Sequence, residues 1–236
     1  MTGTIFIVST PIGNLKDITL RALETLKDAD IIAAEDTRRT GILLKHFEIK
    51  TKLIAYHDFN KESITPKLIK EVLKGKNLAL VSDAGTPGIS DPGYYIVKSA
   101  LEDGIPVIPI PGTSSILTAL VVSGLPTDSF MFLGYFPKKE KRTKEIINLI
   151  KSVKTTFIFF ESPHRMKKTM EHLSQKIPDY RCVIGRELTK KFEEFIRGSV
   201  SEITRLLLLR KNLKGEFVIL LNGDTALLHN HNNNPN

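Results

Sequence analysis

The chain of 236 residues has no tryptophan, a single cysteine and no apolar run near the roughly 18 residues that a membrane-spanning helix requires. Cys182 has no partner for an internal disulfide, and with no His/Cys cluster around it a structural zinc site is not expected. It reads as a small residue inside a strand. The N-terminal MTGTIFIVST lacks the basic region and small-residue cleavage site of an export signal, which points to the cytoplasm. Two phosphate-binding signatures are also missing. Neither G-x-G-x-x-G nor G-x-x-x-x-G-K-[ST] occurs, so a dinucleotide-type Rossmann domain and a P-loop nucleotidase are disfavoured. Glu35, at the end of the second expected strand, holds the place of a Rossmann acid, but without the glycine fingerprint that likeness carries little.

What is present is an ordinary globular composition, 41% hydrophobic and 25% charged, enough for one large domain or two smaller ones. The net charge of +8 is unevenly spread. Residues 1–115 hold 14 basic and 14 acidic side chains, whereas residues 116–236 hold 20 and 12, so the whole excess lies in the second half. Such polarity suits a polyanion lying against one part of the molecule, where Lys and Arg displace phosphate counterions. A solvated basic surface would give the same count.

Strand-like and helix-like segments alternate from the start. TIFIVST is a β-branched run broken by Pro11 and Gly13, and Asp17 is placed to cap a helix with Ile18, Leu20, Leu23 and Leu26 on one stripe. ADIIAAE, KLIAY, LALVS and PVIPI read as further strands, with helices over TRRTGILLKHF, residues 61–74, residues 94–103 and residues 113–123. This order predicts an α/β fold with a mostly parallel sheet covered on both faces. GLPTD (residues 124–128) reads as a linker. Beyond it MFLGYF, TTFIFFE, RCVIGRE, EEFIRGSV and EFVILL alternate less strictly with helices, which predicts a mixed sheet containing antiparallel hairpins. Two domains are therefore expected, residues 1–124 and 125–222, followed by an Asn/His-rich tail, residues 223–236, expected to be disordered.

Three loops of unusual composition follow strands, where open parallel sheets bind their ligands. They are TPIGN (residues 10–14), SDAGTPGISDPG (residues 82–93) and PGTSS (residues 111–115). Glycine lets the backbone approach a ligand closely, and peptide N–H groups near helix starts attract negative groups. Asp83 adds a carboxylate suited to a ribose hydroxyl or an amino group. TPIGN or PGTSS alone would be read as a tight turn; the third loop is harder to read that way.

These segments, together with EDTRRTGILLKHF, LPTDSF, FFESPHR, GRELTKKFEE and KGEFVILL, resemble in order a bacterial family of small-subunit ribosomal RNA ribose 2′-O-methyltransferases within the tetrapyrrole methylase superfamily. The resemblance implies the two-domain fold of class III methyltransferases, a homodimer, and S-adenosylmethionine held between the domains without a metal. Carried onto this sequence, it implies cofactor contacts at Pro11, at Asp83, Ala84, Gly85, Thr86, Gly88 and Ile89, and at Thr113, Ser114 and Ser115. From the second half it implies Phe160, Glu161 and Ser162, then Arg186 and Glu187, then Gly215 and Glu216. The implied substrate is a decoding-centre cytidine of 16S ribosomal RNA, alone or in the small subunit. One segment departs from the family, whose members show HNE after the third strand; here HDFNKES keeps Asn60 but carries Phe59 and Lys61 beside it.

Methyl transfer from a sulfonium is an in-line displacement in which alignment supplies on the order of 7–11 kcal/mol, and the ribose proton must leave as the bond forms. Candidate acceptors and alkoxide stabilisers are Asp36, Arg38, His57, Asp91, Glu161, His164, Arg165 and Glu187, with Asp36 and Arg38 placed first and His57 beside them. Asp36 could equally cap the helix at Thr37, and Arg165 could pair with a carboxylate on its own helix. For RNA the candidate track is PKKEKRTK, with Lys138, Lys139, Lys141 and Arg142, extended by Arg165, Lys167 and Lys168; on a helix Lys138, Arg142 and Glu145 would share a face. No aromatic stacking platform is evident, which favours recognition of RNA shape. A tetrapyrrole or protein methyltransferase of the same fold, and a non-catalytic RNA-binding module, stand as alternatives.

Overall fold

The computed structural model describes residues 1–223. All but the first residue of the expected disordered tail therefore lies outside the described residues. The chain forms two compact units that divide between Ser114 and Ser115.

The first unit runs β1 (Ile5–Val8), α1 (Leu20–Asp28), β2 (Ile31–Ala34), α2 (Thr37–His46), β3 (Lys52–Ala55), α3 (Lys61–Leu73), β4 (Leu78–Val81), α4 (Gly93–Glu102) and β5 (Val107–Ile110). Its sheet is wholly parallel, in the order β3-β2-β4-β1-β5. Each strand is only four residues long, and β2 and β4 are buried throughout. Alternation of side chains across a strand explains why two apolar layers form. Ile31, Ala33, Leu78 and Leu80 face one layer with Leu68, Ile69, Val72 and Ile96 of α3 and α4. Ile32, Ala34, Ala79 and Val81 face the other with Ala22, Leu26, Leu43 and Leu44 of α1 and α2. Each fully buried aliphatic side chain contributes about 1.5–3 kcal/mol. Pro109 is tolerated because β5 is an edge strand.

Asp17 does not cap α1. It lies in a short 3-10 turn, Leu15–Asp17, and Thr19 caps the helix by accepting from the Ala22 amide at 3.1 Å. Thr19 holds the extended backbone that a cap residue needs immediately before the first helical turn.

The second unit contains α5 (Ser115–Val121), β6 (Phe130–Tyr135), α6 (Glu140–Ser152), β7 (Thr156–Glu161), α7 (Pro163–Lys176), β8 (Arg181–Arg186), β9 (Glu194–Ser199), α8 (Val200–Leu209) and β10 (Phe217–Asn222). Its sheet is mixed, in the order β6-β7-β10-β8-β9. β6 and β7 are parallel, β10 runs antiparallel to both β7 and β8, and β8–β9 is an antiparallel hairpin. Central β10 is buried along its whole length, in a core with Ile146, Ile150, Met166, Met170, Val200 and Ile203 from its helices.

α5 belongs to this unit, packing against β10, with Ala119 lying over Gly185 of β8. GLPTD is accordingly not a free linker between the units. Leu125 is buried and its amide donates to Ser123 Oγ at 3.0 Å, while the Pro126 carbonyl accepts from Thr156 Oγ1 at 2.7 Å. Among the described residues no helix is long and apolar enough to cross a membrane, and no group of His, Cys, Asp and Glu could hold a metal ion.

Candidate active site

Because β4, β1 and β5 are neighbours and parallel, the three loops that follow them emerge side by side at one sheet edge. They are laced together there. Thr10 and Gly85 exchange backbone hydrogen bonds of 2.9 Å, an isolated antiparallel bridge between the first and second loops. Ser9 Oγ and Thr86 Oγ1 lie 3.0 Å apart, and Thr86 Oγ1 donates to the Thr113 carbonyl of the third loop at 3.2 Å. Thr113 Oγ1 in turn donates to the Thr10 carbonyl. Pro11, Asp83, Ala84, Gly85, Thr86, Gly88, Ile89, Thr113 and Ser114 are thus brought together within the first unit. Ser115, the first residue of α5, opens the second unit.

The loop after β4 has a built shape. Gly85 has φ +83° and Gly88 φ +91°, the left-handed region that glycine enters at little cost. Asp91 Oδ1 accepts from the amides of both Gly88 and Gly93 at 2.8 Å, closing the loop onto the start of α4. Ala84, Gly88 and Ile89 remain exposed beside a Cβ-free face at Gly88, where no atom of the described residues lies within 4 Å of a Cβ position. A shallow pocket next to this loop is lined by Thr10, Pro11, Leu15, Arg39, Thr40, Ile42, Ser82 and Asp83.

Asp36 and Arg38 sit at the adjacent start of α2, bound to each other. The Asp36 carboxylate accepts from the Arg38 amide at 2.9 Å, from its Nε at 3.0 Å and from its Nη2 at 2.7 Å. Asp36 is therefore the helix cap, and the Arg38 hydrogen bonds hold its carboxyl far below the usual carboxylate range. Asp83 Oδ1 accepts from the Asp36 amide at 2.9 Å and its Oδ2 pairs with Arg39 at 3.4 Å. Glu35 differs from both. Partial burial, with Asp83, Asp91 and Asp58 nearby, raises its pKa above the ordinary value. Its place at the end of β2 was legible in the sequence; its surroundings were not.

His57 and Asn60 form the turn after β3. Asn60 Oδ1 accepts from the His57 amide at 2.8 Å and Asn60 Nδ2 donates to the Ala55 carbonyl at 3.0 Å, so Asn60 is engaged in holding the turn. His57 Nδ1 is buried and has no hydrogen-bond partner among the described residues.

In the second unit, considered by itself, the remaining named residues also converge. Phe217 of β10 stands opposite Glu161 on one side and Arg186 on the other, which gathers Phe160, Glu161, Ser162, Arg186, Glu187, Gly215 and Glu216 at one end of the sheet. The Glu187 carboxylate accepts from the Glu216 amide and from Lys190, each at 3.0 Å, and the Arg186 Nε donates to the Lys214 carbonyl at 2.8 Å. Gly215, at φ +101°, leaves room for Glu187, whose Cγ would lie 2.5 Å from a Cβ there. Glu161 is fully buried, pairing with Arg165 at 3.3 Å and accepting from Thr169 Oγ1 at 2.6 Å. Arg165 also donates to the Phe136 carbonyl at 2.7 Å. It stitches strand ends together and pairs with a carboxylate of β7, the strand before its own helix.

The basic track starts at the same sheet end, since β6 and β7 are parallel. Lys138, Lys139, Lys141 and Arg142 are all exposed. The expected shared helical face is corrected, because α6 begins only at Glu140 and Lys139 is its extended cap residue. Lys138 precedes the helix, and Arg142 pairs with Glu145 at 3.0 Å.

A sequence model of the Tetrapyrrole (Corrin/Porphyrin) Methylases matches residues 4–204. The chain belongs to this family. It is 50% identical to "Ribosomal RNA small subunit methyltransferase I" of Halalkalibacterium halodurans over 222 residues, covering 94% of this chain and 76% of that one. Its likeness to the protein of that name from Bacillus subtilis is 46% over 221 residues, covering 94% and 75%. A solved tetrapyrrole methylase, uroporphyrin-III C-methyltransferase of Thermus thermophilus complexed with S-adenosylhomocysteine, superposes with a TM-score of 0.65 at 18% identity, covering 96% of this chain and all of that one. The tetrapyrrole methylase fold accounts for the parallel first sheet and the mixed second sheet, and the chain is a methyltransferase.

Proposed function

We propose that this tetrapyrrole methylase transfers a methyl group from S-adenosylmethionine to the ribose 2′-oxygen of a decoding-centre cytidine in 16S ribosomal RNA, as a cytoplasmic homodimer. The lacing of the loops after β1, β4 and β5 through Thr10, Gly85, Thr86 and Thr113 carries the cofactor part of this reading. The residues present fit such a ligand. Gly88 leaves open space for close backbone approach, and Asp83 offers a carboxylate to a ribose hydroxyl or an ammonium group. When bound, the cofactor supplies an electrophilic methyl group. Pro11, the Asp83-to-Ile89 loop, Thr113 and Ser114 are the proposed contacts of the first unit. Those of the second are Ser115, Phe160, Glu161, Ser162, Arg186, Glu187, Gly215 and Glu216.

The RNA part rests on the names of relatives at 50% and 46% identity and on the basic second half. Lys138, Lys139 and Lys141 carry the phosphate contacts in this reading. Glu35 accepts the hydroxyl proton, because a carboxylate with a raised pKa is the stronger base and Asp36 is held ionised by Arg38. Asp36 positions α2, and Arg38, exposed beyond it, faces the substrate. The test is methyl transfer from tritiated S-adenosylmethionine to small subunits from cells lacking the gene, with the product mapped by mass spectrometry. Label on one cytidine ribose of 16S RNA is expected. Label on a base, on ribosomal protein or on an added tetrapyrrole would overturn the reading.

A further inference from the structure

Phe59 is 98% exposed at the tip of the turn between β3 and α3. An apolar ring left wholly in water adds nothing to the core, so folding does not account for it. The turn that presents it is held rigidly. The amides of Asn60 and Lys61 both donate to the His57 carbonyl at 3.0 Å, Asn60 ties the His57 amide and the Ala55 carbonyl, and Lys61 pairs with Asp58 at 2.8 Å. His57 touches the ring edge-on, with centroids 6.1 Å apart, and leaves its faces open. The turn stands at the carboxyl edge of the first sheet, where Asp58, Asp83 and Asp91 all lie within electrostatic range of Glu35. Asp58 is paired with Lys61 at 2.8 Å and Asp83 with Arg39 at 3.4 Å, so the exposed ring is the feature of this turn that suits the uncharged part of a nucleotide.

We propose that Phe59 is a stacking platform for an unpaired base of the RNA substrate next to the methylated nucleotide, an inference that rests on the RNA reading above. A rigid, pre-exposed ring stacks with little ordering cost, and every base presents a π-face. Exposed Tyr95 on α4, within electrostatic range of Lys61, adds a second aromatic surface nearby. Phe59 supplies an aromatic surface that is not evident as a platform along the sequence, because its exposure is set by the fold.

The absence of tryptophan makes a direct test available. The Phe59→Trp variant carries one indole, whose emission a stacked base quenches; Leu101→Trp, exposed at the far end of α4, is the control. Titration with a single-stranded oligocytidylate is expected to quench Phe59→Trp and leave Leu101→Trp unchanged. With unmodified small subunits, Phe59→Ala is expected to raise KM roughly tenfold with kcat within about twofold, while Phe59→Tyr stays near the native value. Equal quenching in both tryptophan variants, or an unchanged KM in Phe59→Ala, overturns the proposal. Absence of any methyl transfer by the native chain would instead sink the functional reading, and the quenching comparison would still decide the role of Phe59.

Discussion

Thr10 and Gly85 join two strand-end loops through paired 2.9 Å backbone hydrogen bonds, and Gly85 makes the bridge at φ +83°. A Cβ there would meet Ile12 at 3.4 Å and impose left-handed strain of about 1–2 kcal/mol. Gly85→Ala is expected to lower Tm by a few degrees and to weaken S-adenosylhomocysteine binding by calorimetry. Gly41→Ala, in α2 with no atom within 4 Å of its Cβ position, is expected to raise Tm instead. If both alanines shift Tm alike, the bridge is not the reason for Gly85.

Asp91 organises the same loop by a different bond set. Its carboxylate serves two amides, those of Gly88 and Gly93. Asp91→Ala leaves both without that partner, a loss of about 1.5–3 kcal/mol in loop order. Cofactor affinity is expected to fall about tenfold or more, whereas Asp91→Asn, which retains an acceptor oxygen, keeps most of it. Equal affinities across the three proteins would remove this loop from the cofactor site.

The two neighbouring acids at the end of β2 are expected to behave oppositely with pH. Burial first, and then Asp83 and Asp91, raise the Glu35 pKa, so its base form is lost as pH falls through that raised value. The native kcat should therefore fall on the acid side at a pH above the ordinary carboxylate range. Glu35→Gln is expected to reduce kcat by about 10²–10⁴-fold and to abolish that limb. Asp36, held ionised by Arg38, contributes no limb near neutrality; Asp36→Asn is expected to lower Tm while leaving the profile's shape. A limb that persists in Glu35→Gln would assign the proton to another group.

Phosphate contacts by the second unit's lysines predict steep salt dependence. Replacing Lys138, Lys139 and Lys141 together by Gln should reduce the slope of log affinity against log salt by about 2, since each lost phosphate contact removes roughly 0.7–0.9. Arg142, already paired with Glu145 at 3.0 Å, should change it less. Filter binding of 16S RNA between low and moderate salt measures this, and an unaltered slope in the triple variant would count against the track.

Much of the fold was legible because local rules govern it. The apolar runs of β2 and β4 are buried on both faces, as continuous hydrophobic strands between helix layers must be, and Asp36 caps α2 as its place before Thr37 suggests. Asp17 was misleading for an equally local reason, since a hydroxyl two residues later, on Thr19, meets the first turn in better register. α5 was not assignable by such rules. Its apolar positions Ile116, Ala119 and Leu120 would suit either sheet, and only contact with β10 and Gly185 places it in the second unit.

By itself the sequence determined the elements, their order, the parallel class of the first sheet and the three glycine-rich loops, because strand periodicity, caps and turns act over a few residues. The tertiary structure decided which loops touch, that Asp36 is held by Arg38 while Glu35 is left with a raised pKa, and that Phe59 is left exposed to solvent. Those outcomes depend on strand order and on burial. Both arise between residues far apart in the chain, where electrostatics and packing act through space and not along the backbone.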